Sequence, residues 1–134
     1  MAYNDLVYCA CPARLSNIKH KIMEYVASQN KGPLHPINAL PYEYFEGGKL
    51  GRAKTMEVCC SLIEICDEFW LFGISEGTLI EATYFFAQAS NKTKPFKILV
   101  KEFDKEWEKY TKQYFDDYKK TLSKLGFINK PISK

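Results

Sequence analysis

Two short stretches of the chain, LVYCAC at residues 6–11 and EFWLF at residues 68–72, are apolar with no regular polar alternation. Strands of that kind belong in the middle of a parallel sheet, covered from both sides. The first stretch stops at Pro12. Beyond it Ile18, Ile22, Tyr25 and Val26 follow the 3.6-residue period of a helix, with Ser16 or Asn17 available as N-cap. That helix ends near Lys31 and Gly32, and residues 33–36, PLHP, read as a short second strand or extended edge segment. Three prolines within nine residues keep it short. Residues 37–51 carry Pro, Gly and aromatics without any period and read as one long connection. Loops of that length are often functional: Tyr42, Tyr44 and Phe45 either cover a planar ligand or pack the loop on itself.

A helix is predicted over residues 52–66, with Met56, Cys59 or Cys60, and Ile63 on its inner face. The strand at 68–72 follows, then a tight loop of Gly73, Ile74, Ser75, Glu76 and Gly77, then a helix from about Thr78. Leu79, Ile80, Ala82, Tyr84, Phe85, Phe86, Ala87 and Ala89 leave that helix almost without a polar face, which predicts burial nearly all round. Residues 96–100 form another strand. A last helix over 104–124 puts Phe103, Trp107, Tyr110, Tyr114, Tyr118, Leu122 and Leu125 on one stripe that packs on the core or on a second subunit. Residues 129–134 read as a mobile tail.

Strands alternating with helices define an α/β fold, a small doubly wound parallel sheet of flavodoxin-like type with helices on both faces. At 134 residues the chain makes one domain, spanning residues 1–128. A strand order of 2-1-3-4 puts the turn after Cys11 beside the loop at 73–77. Their meeting point is the switch point at which such sheets bind ligands.

Composition narrows the function classes. A net charge of +3 gives no support for nucleic-acid binding, and no apolar run reaches the length of a membrane span. The N-terminus lacks the basic segment and apolar core of a secretory signal, so a cytoplasmic protein is expected. Five cysteines, Cys9, Cys11, Cys59, Cys60 and Cys66, sit in apolar segments without a disulfide framework or zinc-site spacing. No metal and no cofactor is expected.

The chemistry concentrates on one carboxylate. Between Glu76 and Lys92 the only charged residue is Glu81, one turn into the apolar helix. Burial raises a carboxyl pKa, whereas the N-terminal dipole and free amides of a helix favour the ionised form. A poorly solvated carboxylate held in this balance is either a nucleophile or a structural acid hydrogen-bonded to a neighbouring loop. The proposed topology draws Tyr8, Arg14, Asn17, Ser75 and Glu76 toward the same crevice. Arg14 and Asn17 follow the first strand, where an anion or a sugar binds in an open α/β sheet. Arg52, in the first turn of its helix, opposes the dipole and is either solvated or paired with an acid or a ligand phosphate.

These residues resemble the nucleoside 2-deoxyribosyltransferase superfamily, which includes deoxynucleoside monophosphate N-glycosidases. The likeness spans Val7 to about Val100 and rests on VYCACP, on a helix ending in CDEFWLF, and on SEGTLIEA. It implies that Glu81 is the nucleophile, that Tyr8 contacts its carboxylate, and that Ser75, Glu76 and Gly77 hold the sugar or its 5′ substituent. Family members usually carry an Asp in the middle of the preceding helix, and that position here is Cys59. The catalytic pair is thus Glu81 and Tyr8, and the substrate-binding set is Cys11, Arg14, Asn17, His35, Arg52, Cys59, Ser75, Glu76 and Gly77. The expected activity is cleavage or transfer of the N-glycosidic bond of a nucleoside or nucleotide by a homo-oligomer, with a water or His35 assisting the leaving base. The alternative is a nucleotide-binding protein that keeps the pocket without turnover.

Overall fold

The computed structural model describes residues 5–127, so the predicted tail at 129–134 lies outside the described residues. Four strands, β1 (Leu6–Ala10), β2 (Gly32–Leu34), β3 (Glu68–Leu71) and β4 (Phe96–Ile98), form one sheet in the order β2-β1-β3-β4. All three pairings are parallel, with Tyr8 opposite Leu34 on one side and Phe69 on the other. This is the expected α/β class and strand order, consistent with a flavodoxin-like fold.

The apolar character of β1 and β3 on both faces reflects two layers of core. Tyr8, Ala10, Phe69 and Leu71 point to one side and pack with Cys59, Ile63, Leu79, Ala82, Phe85, Leu122 and Leu125. These come from α3 (Gly51–Ile65), α4 (Glu76–Ala87), α7 (Lys119–Lys124) and the residue after it. Val7, Cys9, Trp70 and Phe72 point to the other side, onto Ile22 and Val26 of α1 (Lys19–Ser28). Helix α4 is less uniformly buried than its composition suggests. Thr78, Leu79, Glu81, Ala82 and Phe85 are buried, while Thr83 and Ala87 are exposed.

Three expectations need correction. Ser16 and Asn17 do not cap α1: a 3-10 helix over Ala13–Ile18 precedes it, and both residues lie exposed within that turn. The connection after β2 is not wholly irregular, because Pro36 starts a short helix α2 (Pro36–Ala39) and only the stretch after it runs as turns up to α3. The long last helix expected over 104–124 is two pieces, α6 (Trp107–Gln113) and α7, preceded by a short helix α5 (Val100–Phe103) that begins at the expected end of β4.

The break between α5 and α6 has a specific cause. Asp104 is fully buried, and its carboxylate accepts the backbone N–H of Glu106 at 3.1 Å and that of Ile74 at 2.9 Å. A side chain that bonds the backbone two residues on competes with the helical hydrogen-bond ladder. The break between α6 and α7 spans Tyr114 to Tyr118 and contains Asp116 and Asp117, both weak helix formers.

Candidate active site

Strands β1 and β3 are neighbours, yet the chain leaves β1 toward α1 on one face and β3 toward α4 on the other. A crevice opens between their C-terminal ends for that reason alone. It holds a cavity of about 420 Å³ walled by the turn after β1, the start of α2, the flap at residues 42–46, the first half of α3, the N-terminus of α4 and two tyrosines of the C-terminal segment.

Glu81 is on the cavity wall and only 5% exposed. The Tyr8 hydroxyl, rising from the middle of β1, donates a hydrogen bond of 2.8 Å to Glu81 Oε2. Burial pushes the Glu81 carboxyl up to about 7, against the opposing pull of the Tyr8 hydroxyl, the Cys59 thiol and the Arg52 guanidinium. Tyr8 itself, desolvated and beside this carboxylate, titrates well above a normal phenol and stays a donor. The expected contact between Tyr8 and the Glu81 carboxylate is present in the structure.

Helix α4 begins with a capping box. Ser75 Oγ accepts the Thr78 N–H at 3.2 Å, and Thr78 Oγ1 accepts the Ser75 N–H at 2.9 Å while donating to the Gly73 carbonyl. The next two amides, of Glu76 and Gly77, lie at the helix start, where no preceding turn supplies a carbonyl. Gly77 leaves space here: a Cβ on it would lie 3.4 Å from Arg52 Nη2, so the guanidinium passes directly over this turn. Gly73 is equally constrained, since its Cβ would come within 2.6 Å of Pro12 Cδ. The turn after β1 and the loop after β3 are thus in van der Waals contact.

Cys11, Cys59, Arg52, Ser75, Glu76 and Gly77 all line the cavity, as anticipated. Both thiols are pushed up to about 12, chiefly by burial and next by the Glu81 charge, and remain protonated at neutral pH. Arg14 also borders the cavity, but not as a free cation. Its two Nη atoms bond the two Asp104 oxygens at 2.8 Å each, and its guanidinium stacks 3.9 Å from the Tyr110 ring centre. It also donates to the Ile74 carbonyl. Arg14 is a strut between two loops.

Asn17 and His35 do not reach the cavity. The 3-10 turn carries Asn17 out to solvent. His35 is 2% exposed, with neither ring nitrogen hydrogen-bonded among the described residues. Burial, then the charges of Lys19 and His20, push it down to about 4, so it is a neutral core residue and no proton donor to a leaving group.

The structure adds residues that sequence reasoning missed. Thr55 and Met56 of α3, Pro36, Ile37 and Leu40 near α2, and Tyr110 and Tyr114 of the C-terminal segment line the cavity. The two tyrosines were visible in the aromatic stripe, which gave no indication that it faced a ligand site. Of the flap aromatics, Tyr42 and Phe45 line the cavity, whereas Tyr44 is 66% exposed and does not. Among the described residues no group of three or more His, Cys, Asp or Glu side chains is placed to hold a metal ion, and no helix is long and apolar enough to cross a membrane.

No protein-family model, curated protein or solved structure matches this chain. The class of the protein is therefore stated from geometry alone: an α/β domain with an all-parallel four-stranded sheet and a carboxylate-bearing pocket at its switch point.

Proposed function

We propose that the protein breaks the N-glycosidic bond of a nucleoside or nucleotide, passing the sugar to water or to a second base, with Glu81 as nucleophile and Tyr8 as the residue that positions it. The observation that carries this reading is the 2.8 Å hydrogen bond from Tyr8 to a carboxylate that is 5% exposed on the wall of a cavity large enough for a nucleoside. Such a carboxylate has lost most of its water and keeps the Tyr8 hydroxyl as an oriented donor, so it stabilises positive charge strongly.

As the bond between the anomeric carbon and the base nitrogen breaks, its electron pair leaves with the base, and the sugar acquires oxocarbenium character. Glu81 then either faces that cation or forms an ester to the anomeric carbon, which water or an acceptor base opens. The Tyr8 hydroxyl holds one carboxylate oxygen so that the other is free to react. The departing nitrogen needs a proton, for which the phenols of Tyr42, Tyr110 and Tyr114 are within the cavity wall. Ser75, Gly77 and the first amides of α4 are the groups that would hold the sugar.

The second reading, a nucleotide-binding protein without turnover, is favoured by one observation. Cys59, a thiol pushed up to about 12, stands beside Glu81 where the resemblance leads one to expect a carboxyl group. Incubating the purified protein with a panel of nucleosides, nucleotides and NAD, followed by chromatography for free base, separates the two. Base release from any panel member supports the glycosidase, and binding without release supports the alternative.

A pH dependence follows from the environment of Glu81. The reactive form is the carboxylate, and its pKa is raised to about 7 in the folded protein. Base release is expected to fall about tenfold for each pH unit below that value and to level off above it. A rate that stayed flat between pH 5 and 8 would show that Glu81 ionisation is not part of the reaction.

A further inference from the structure

We infer that the pocket discriminates against 5′-phosphorylated substrates, and that Glu46 on the flap is the residue responsible. The inference rests on the nucleoside-pocket reading above and deepens it. Two cations border the cavity, Arg14 and Arg52. Neither is free. Both Nη atoms of Arg14 are bonded to Asp104. Arg52, the cation placed over Gly77 at the mouth of the helix, is bonded through Nη1 to Glu46 Oε2 at 2.7 Å.

The remaining charge at this mouth is negative. Glu76 lines the cavity at the first position of α4. Glu46 and Glu76 thus both line the cavity beside Arg52. A phosphate arriving beside Gly77 would meet a guanidinium whose charge is already offset by Glu46 and would sit near the like charges of Glu46 and Glu76, whereas a sugar hydroxyl needs only donors and acceptors.

The ion pair alone would be easily displaced, because both partners are partly exposed, at 48% for Arg52 and 40% for Glu46. The backbone keeps Glu46 near Arg52 even when the pair is broken. It sits only six residues before Arg52, in a turn closed by hydrogen bonds from Gly47 N to the Tyr42 carbonyl and from Gly51 N to the Phe45 carbonyl, both 2.9 Å. The turn therefore keeps Glu46, and its negative charge, close to the mouth whether or not it touches Arg52. It acts on specificity by excluding the wrong substrate as well as by leaving room for the right one.

The test compares the four 2′-deoxynucleosides with their 5′-monophosphates. Base release is measured with the wild type and with Glu46→Gln and Glu46→Ala, and dissociation constants by calorimetry in the Glu81→Gln background at low ionic strength. The wild type is expected to favour the nucleoside at least tenfold, and either Glu46 substitution to raise the ratio of monophosphate to nucleoside at least tenfold. The discrimination should shrink as salt is added. Equal or better handling of the monophosphate by the wild type overturns the inference, as does an unchanged ratio in both folded variants. Discrimination in binding without any base release keeps the inference and removes the glycosidase reading. Absence of binding by every member of the set removes both.

Discussion

Glu81→Gln is expected to leave a folded protein whose base release is slower by ~10³-fold or more, the scale on which loss of a key charge-stabilising or nucleophilic group acts. Gln keeps the side-chain volume and an oxygen to accept from the Tyr8 hydroxyl, but it carries no charge to face an oxocarbenium. The stability of the same variant distinguishes this from a structural role. The folded protein raises the Glu81 pKa from 4.5 to about 7. Between those values the folded state binds the extra proton, so this group lowers stability as pH rises through the interval, with a total of about 3 kcal/mol once it is fully ionised. Gln never carries the buried charge. Its melting temperature should therefore match or exceed that of the wild type at pH 8, and the difference should narrow toward pH 5. Melting curves and base release measured at both pH values decide the matter. A Gln variant that melted well below the wild type at pH 8 and kept its rate would return Glu81 to the core as a structural acid.

Asp104→Asn is the substitution expected to cost most stability, about 3 kcal/mol. Asp104 is fully buried and holds Arg14, the Ile74 amide and the Glu106 amide at once. Burial alone would raise its carboxyl pKa, but the Arg14 guanidinium and the two amides outweigh that, and the group titrates below the usual carboxylate range. Its stabilising contribution is accordingly present above the ordinary Asp pKa and fades as pH falls through the lower folded value. Asn keeps one acceptor but loses the charge, leaving a guanidinium in a half-buried place without its counter-ion. Urea unfolding at pH 7 should show the loss, and the gap between variant and wild type should close toward pH 3. A variant within ~0.5 kcal/mol of the wild type would mean that Arg14 finds an equivalent partner.

Strand order and the centre of the site were legible because each rests on a local signal. The apolar stretches in β1 and β3 mark central parallel strands, and one carboxylate in an otherwise apolar helix marks an energetic anomaly wherever the helix packs. What stayed illegible depends on partners far apart in the chain. Arg14 read as a free cation at a strand end, because nothing near it reveals Asp104, ninety positions later. Asp104 in turn read as the start of a long helix, since its neighbours follow a helical period and only its buried bonds to Ile74 and Glu106 break the ladder. His35 and Asn17 were placed in the pocket by position along the chain. A 3-10 turn and a tightly packed α2 start put them elsewhere, and neither leaves a clear trace in residue type.

The bond between Arg14 and Asp104 also sets a schedule. A chain made from its N-terminus releases the turn after β1 early and Asp104 ninety residues later, an interval of about 5 to 20 s at ordinary rates of synthesis. Until then the loop that starts α4 has no carboxylate for its Ile74 amide, and Glu81 has no finished wall of tyrosines beside it. The sheet can pair while the chain is still growing. The pocket is completed last, by a segment that supplies no strand to the fold.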